Sequence, residues 1–280
     1  MIGTQIGNFV LESVLGEGGF CTVYKARDVR LNRFAAFKFL KNPLDDRHLQ
    51  FFEREAKAIA KVSKHPHIVE IYEWGEYDDR SYFVLEYCET SVAELLKLTF
   101  NGLSVKNALT FAAQAANALS YAHENGLIHR DIKPHNILLE SPDGPAKLAD
   151  FGLVLIQDLA SVSMSGSICG SPPWMSPEQA LGAPVDARTD IFSLGVTLYE
   201  MLCGQRPFEG VNANPIMENI RNNQRVPLET RMPDVPACVL DIVNRATAHD
   251  AANRYQNAAE MDHDLCNALR ELEGVASDTV

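Results

Sequence analysis

A chain of 280 residues, 46% hydrophobic and 22% charged, has the makeup of a globular protein and is long enough for one large domain or two ordinary ones. Its formal net charge of −12 argues against a nucleic-acid footprint, which needs a surplus of Lys and Arg. No apolar run approaches the roughly eighteen residues of a membrane span: the longest, Ile191 to Cys203, is too short and carries Glu200.

In chain order, the first ninety residues predict mostly strand: Phe9 to Leu15, Thr22 to Ala26, Phe34 to Leu40, Val69 to Trp74 and Ser81 to Tyr87 are β-branched and aromatic runs separated by turn residues. One helix interrupts them, with Leu49, Phe52, Ala56 and Ile59 at helical spacing. From about Ser91 the pattern changes to long helices. The clearest runs from Ser104, a good N-cap, to Asn125, with Gly126 ending it. Arg188 to Cys203 is apolar almost all round, as a helix at the centre of a helical lobe should be. Ser161 to Ser171 is serine-rich and lacks periodicity, which predicts a mobile loop, and the residues after Leu272 read as a short tail or linker. A strand-rich part followed by a helix-rich part is an α+β arrangement with two cores, and ligands often bind between such lobes.

The N-terminus has no basic patch and apolar core of a signal peptide, so a cytoplasmic location is expected. The six cysteines form no C-x-x-C pair and indicate neither a zinc site nor a disulfide framework.

Four stretches carry chemistry. Gly16-Glu17-Gly18-Gly19-Phe20-Cys21-Thr22-Val23 lies between two predicted strands, as a plain hairpin turn or one whose glycines let backbone amides approach phosphates. Lys38 is the one cation in the apolar strand Ala35 to Leu40, and Glu55 falls within the apolar stripe of the next helix, where a carboxylate needs a partner; Lys38 is available. His129-Arg130-Asp131-Ile132-Lys133-Pro134-His135-Asn136 packs a base, cations and an amide into one loop. Asp131 can accept a hydroxyl proton, Lys133 can neutralise phosphate charge and Asn136 can offer an oxygen to Mg²⁺. Ala149-Asp150-Phe151-Gly152 ends a predicted strand with a carboxylate suited to a hard cation.

The order glycine-rich loop, strand lysine, helix glutamate, His-Arg-Asp loop and Asp-Phe-Gly resembles the protein kinase signature over nearly the whole chain. The resemblance implies a bilobal α+β fold, with residues 1–88 as an N-lobe, 89–272 as a C-lobe and 273–280 as tail or linker. It implies ATP in the cleft, with Mg²⁺, or Mn²⁺ in its place, on Asn136 and Asp150, and catalytic roles for Asp131, Lys133, Lys38 and Glu55. The nucleotide would meet Gly16, Glu17, Gly18, Gly19, Val23, Ala36 and Leu138, with Leu85 as gatekeeper and Glu86, Tyr87 and Cys88 as the hinge. Phe151 and Gly152 complete the metal-binding motif. Ser176-Pro177-Glu178 resembles the end of an activation segment, Asp190 the aspartate that braces the catalytic loop, and Arg254 the arginine that pairs with Glu178.

Lys133 together with Gly170 to Trp174 is similar to the serine/threonine class, and Ser176 to Ala180 to bacterial eukaryotic-like kinases. Protein substrates with serine or threonine acceptors are thus implied, and a homodimer for autophosphorylation in trans, with no nucleic-acid or membrane partner for this segment. Arg130 would grip a phosphate on the activation loop, where Ser163 and Ser165 best match autophosphorylated positions. Two departures stand out: Cys21 sits at the third glycine position, and Ser171 replaces a threonine while keeping the hydroxyl. A pseudokinase scaffold and a small-molecule kinase are the alternatives; the intact polar set disfavours the first and the segment ending at Glu178 the second.

Overall fold

The computed structural model describes residues 1–19, 21–43, 56–57, 59–151 and 171–277. Strands β1 (Gln5–Ile6), β2 (Phe9–Glu17), β3 (Cys21–Asp28), β4 (Arg33–Leu40), β5 (Ile71–Tyr77) and β6 (Arg80–Glu86) form an antiparallel sheet in the order β1-β2-β3-β4-β6-β5. Alternation sorts β4 onto two faces. Ala35, Phe37 and Phe39 join Phe9, Leu11, Tyr82 and Val84 in an aromatic-rich core, where Phe37 stands 5.1 Å from Phe9 and 5.2 Å from Tyr82 between ring centroids. The opposite face carries Ala36, Lys38 and Leu40, and Leu40 packs with Ala56 and Phe83. The β5–β6 hairpin turns through Asp78 and Asp79, both at positive φ, as the right-handed strand twist demands of a two-residue turn.

A second sheet, β7 (Thr90–Ser91), β8 (Ile137–Leu139) and β9 (Ala146–Leu148), was too short to show a period in the sequence. Val69 N–H donates to Leu148 O and Leu148 N–H to His67 O, so β9 is stitched to the chain that leads into β5.

The helical part begins with α1 (Val92–Leu98) and α2 (Val105–Glu124), each capped by the preceding serine hydroxyl, Ser91 and Ser104. Gly126 ends α2 at φ +76°, where glycine has no steric cost. After α3 (Pro177–Leu181), α4 (Arg188–Cys203) runs through the middle of the lobe, buried along nearly its whole length, as its all-round apolarity predicts. Around it stand α5 (Ala213–Arg221), α6 (Leu228–Arg231), α7 (Ala237–Ala246) and α8 (Ala258–Ser277). Gly195 lets α7 approach closely, for a Cβ there would stand 2.7 Å from that of Ala246. The expected α+β arrangement is present, with one correction: α8 continues to Ser277, into the stretch 273–280 expected as a tail. Its buried stripe of Ala258, Met261, Leu265 and Ala268 anchors the inner turns, and the helix propagates outward from them. Of the expected helix stripe, Ala56 and Ile59 are buried; Leu49 and Phe52 lie outside the described residues.

Candidate active site

Asp190, in the first turn of α4 and wholly buried, organises the loop that precedes β8. Its carboxylate accepts from the backbone N–H groups of His129 (2.8 Å) and Arg130 (2.7 Å) and from Nε2 of His123 (2.8 Å). Arg130 takes a left-handed backbone, φ 67°, beside this anchor. The buried His129 accepts from Asp131 N–H at Nδ1 (3.3 Å), which leaves Nε2 to donate to Ala149 O (2.8 Å). Its ring lies 4.6 Å from that of Phe151. The histidine therefore ties the loop to the segment carrying Asp150.

Within this frame Asp131, Lys133 and Asn136 converge. Lys133 Nζ donates to Asp131 Oδ2 (2.6 Å) and to Ser171 Oγ (2.7 Å), joining residues far apart in sequence. Asn136 Nδ2 donates to the Asp131 carbonyl (2.8 Å) and to Oδ2 (3.2 Å), which leaves the amide oxygen to serve as an acceptor. Lys38 is buried on β4, opposite Val23 and Phe83 in register, and its Nζ lies 2.6 Å from Asp150 Oδ1. Burial pushes the Asp150 carboxyl upward, but the Lys38 ammonium overrides it and holds the group below the usual carboxylate range. Asp150 also has a left-handed backbone, φ 67°.

Lys38, Lys133, Asn136 and Asp150 face a cleft of about 480 Å³ that is lined also by Gly16, Glu17, Gly18, Gly19, Val23, His135, Ser171 and Trp174. Cys21 also lines it; burial pushes its thiol up despite nearby Lys38, which speaks against a reactive thiolate. A smaller cavity behind Leu85 is bounded by Ile59, Phe83, Leu148 and Phe151. Leu85 pairs with Ala36 across the sheet, Leu138 sits in β8, and Glu86 ends β6, with Tyr87 and Cys88 following it at the junction of strand-rich and helical parts. Burial pushes the Cys88 thiol up to about 12.

The floor beyond Ser171 is held by α4. Trp174 Nε1 donates to Glu200 (2.8 Å), Ser193 Oγ donates to Trp174 O (2.7 Å), and the guanidinium of Arg254 makes two bonds, 2.8 and 2.9 Å, to Glu178. Arg254 also donates to three backbone carbonyls, which explains how a guanidinium stays wholly buried. Gln179, within the capping box that Ser176 opens, donates to Arg130 O (2.8 Å).

The sequence-derived residues Lys38, Asp131, Lys133, Asn136, Asp150 and Ser171 thus come together, with Asp190, Glu178 and Arg254 as their supports. Arg130 carries a buried Nε with no partner among the described residues. Glu55, Gly152, Ser163 and Ser165 lie outside the described residues. Sequence reasoning missed His123, His129 as a tether, Gln179 and the Trp174–Glu200 bond; of these only Gln179 had a signal, three residues after Ser176 at the head of a helix.

The donor set fits a small hard cation. Among the described residues no three His, Cys, Asp or Glu side chains cluster to enclose a metal by themselves. One carboxylate plus one amide oxygen leaves most of the coordination to phosphates and water, as Mg²⁺ prefers. Also among the described residues, no helix is long and apolar enough to cross a membrane.

The profile described as protein kinase domain matches residues 9–266. The serine/threonine-protein kinase PrkC of Bacillus subtilis is 37% identical over 273 residues, covering 96% of this chain and 42% of PrkC. PknB of Mycobacterium tuberculosis, also a serine/threonine-protein kinase, is 37% identical over 265 residues, covering 92% of this chain and 42% of PknB. The crystal structure of the Mycobacterium tuberculosis PknI kinase domain, a double mutant, superimposes with a TM-score of 0.75 at 26% identity, covering 96% of this chain and 98% of that one. The chain spans about two fifths of the length of the curated relatives it matches.

Proposed function

Since this chain belongs to the protein kinase family, we infer that it transfers the γ-phosphoryl group of ATP to serine or threonine hydroxyls of proteins. One observation carries the reading: Lys38, Lys133, Asn136 and Asp150 line a single cleft, with Asp131 bonded to Lys133 and Lys133 bonded to Ser171.

In this reading Asp131 accepts a hydrogen bond from the acceptor hydroxyl and aims its oxygen at the γ-phosphorus. As the new O–P bond forms, the bond to the bridging β–γ oxygen breaks, the hydroxyl proton passes to Asp131, and ADP leaves. Lys133 follows the charge on the transferring group, and Lys38, exchanging Asp150 for phosphate oxygens, holds the part that stays behind. Asp150 and the amide oxygen of Asn136 would hold Mg²⁺ or Mn²⁺, which supplies charge neutralisation on the phosphates when bound. Ser171 and the turn through Trp174 form the platform for the acceptor peptide. Leu85, Glu86 and Cys88, with Val23, Ala36 and Leu138, take the adenine, and Glu55 is the partner of Lys38 in the active arrangement.

We place the lobe boundary after Cys88 and read the domain as cytoplasmic, where ATP is available. Arg130, whose buried Nε has no partner among the described residues, receives a phosphate on Ser163 or Ser165, added by a second copy of the chain. Intact-mass spectrometry with ATP and Mg²⁺, beside an Asp131→Asn variant, tests the reading. Stepwise phosphate gain in the parent alone supports it. No gain on the parent or on a basic protein substrate overturns it.

A further inference from the structure

Lys25 and Lys147 take no part in the phosphate cleft, yet each grips the segment that joins the two lobes. Lys147 lies in β9, opposite Leu138, with its side chain 11% exposed. Its Nζ is 2.9 Å from Glu86 Oε1, 3.0 Å from Oε2 and 3.3 Å from Glu140. Burial works against this ammonium, but the two carboxylates outweigh it, so it stays charged. Glu86 is held from the other side as well: its N–H donates to Glu70 O (2.8 Å), and its Oε2 accepts from Glu70 N–H (3.2 Å).

The next residue, Tyr87, is gripped from the strand-rich lobe. Lys25, on β3, places Nζ 4.5 Å from the centre of the Tyr87 ring and 3.8 Å from that of Phe34 on β4. The two rings lie 5.8 Å apart, tilted by 59°. Two consecutive hinge residues are thereby engaged by ammonium groups from opposite lobes, one through carboxylates and one through aromatic faces.

We propose that Lys25 and Lys147 are positioning residues that clamp the Glu86–Tyr87 hinge from the two lobes and so set how tightly the adenine end of the nucleotide is held. The proposal rests on the nucleotide reading of the cleft. The hinge offers backbone groups to the adenine, and groups ordered before binding lose less freedom on binding. Freeing either residue lets the hinge fluctuate and weakens adenine binding without touching the groups that move the phosphate.

The test is ADP affinity by calorimetry, with hydrogen exchange at residues 84–88 of the nucleotide-free protein. It compares the parent with Lys147→Met, Lys25→Leu and the conservative Lys147→Arg. Each neutral variant is expected to weaken ADP binding about three- to tenfold and to speed exchange at the hinge alone. The KM for ATP should rise by the same factor while kcat holds, and Lys147→Arg should keep the affinity. Lys25→Leu, at a half-buried site, keeps the test decisive if Lys147→Met does not fold. Unchanged affinity and hinge exchange would overturn the clamp, as would faster exchange throughout the domain. If the parent binds no ADP, the nucleotide reading fails, and local hinge exchange still decides whether the lysines restrain the segment.

Discussion

The Lys38 ammonium and the Asp150 carboxylate, 112 residues apart in the chain, meet at 2.6 Å across the cleft between sheet and helices. In the proposed function each exchanges that partner for a ligand group, Lys38 for phosphate oxygens and Asp150 for a cation. Lys38→Met should therefore lower phosphoryl transfer by about 10²–10³-fold, with a smaller change in ADP affinity, measured by steady-state kinetics and calorimetry. Equal losses in both would refute the division of labour.

Asp131→Asn keeps the shape of the loop but removes the carboxylate that Lys133 holds. Transfer should fall by at least about 10²-fold with the melting temperature little changed. In the same mass-spectrometric assay, Ser163→Ala with Ser165→Ala should abolish phosphate on the loop peptide; phosphate found elsewhere on the loop instead would reassign the acceptor.

Arg254 is wholly buried against Glu178, so truncating it strands a carboxylate. Arg254→Met should cost about 3–5 kcal/mol in urea unfolding. Burial raises the Glu178 carboxyl, but bonds from Arg254 and Thr189 outweigh it and leave the pKa lowered. A lowered folded-state pKa adds stability above the ordinary glutamate value, lost as the pH falls through the folded one. Thermal denaturation from neutral pH to pH 3 should accordingly decline less steeply in Glu178→Gln than in the parent.

Asp190→Ala leaves the N–H groups of His129 and Arg130 without their acceptor, at about 1–3 kcal/mol each. Both unfolding free energy and turnover should drop. A variant that kept full activity would show that the loop holds its form without the Asp190 carboxylate.

Cys88, its thiol pushed up to about 12 by burial, and Cys21, shifted in the same direction, should react slowly with iodoacetamide at neutral pH. Rapid labelling of Cys21 would instead mark a reactive thiolate in the cleft.

What was legible in the sequence was what depends on period or on dense polar motifs. The alternation in β4 marked Lys38 as an exception within an apolar strand, and the all-round apolarity of α4 placed it in the interior. The motif around Asp131 announced itself because such a concentration of base, cation and amide has little structural use. The sheet of β7, β8 and β9 is made of two- and three-residue strands, below the length at which alternation can be counted. The Trp174–Glu200 bond was hidden because nothing in either residue's neighbourhood specifies a partner a helix away. His123 likewise reads as an ordinary helix residue until α4 brings Asp190 beneath it. The end of α8 was misjudged because a stretch with few apolar residues resembles a tail, although a helix whose inner turns are already anchored propagates past them without a new nucleation cost.

Helix α4 supplies Asp190 to the catalytic loop, Ser193 and Glu200 to the turn that carries Trp174, and the Phe192 ring beneath the Arg254 guanidinium, 4.8 Å from its centre. It is thus a common datum for parts that arrive from distant stretches of chain. The spacing between the Asp131 loop and the Trp174 turn is then governed by the stiffness of one buried rod. A bend introduced into the rod would shift the Asp131 loop and the Trp174 turn together.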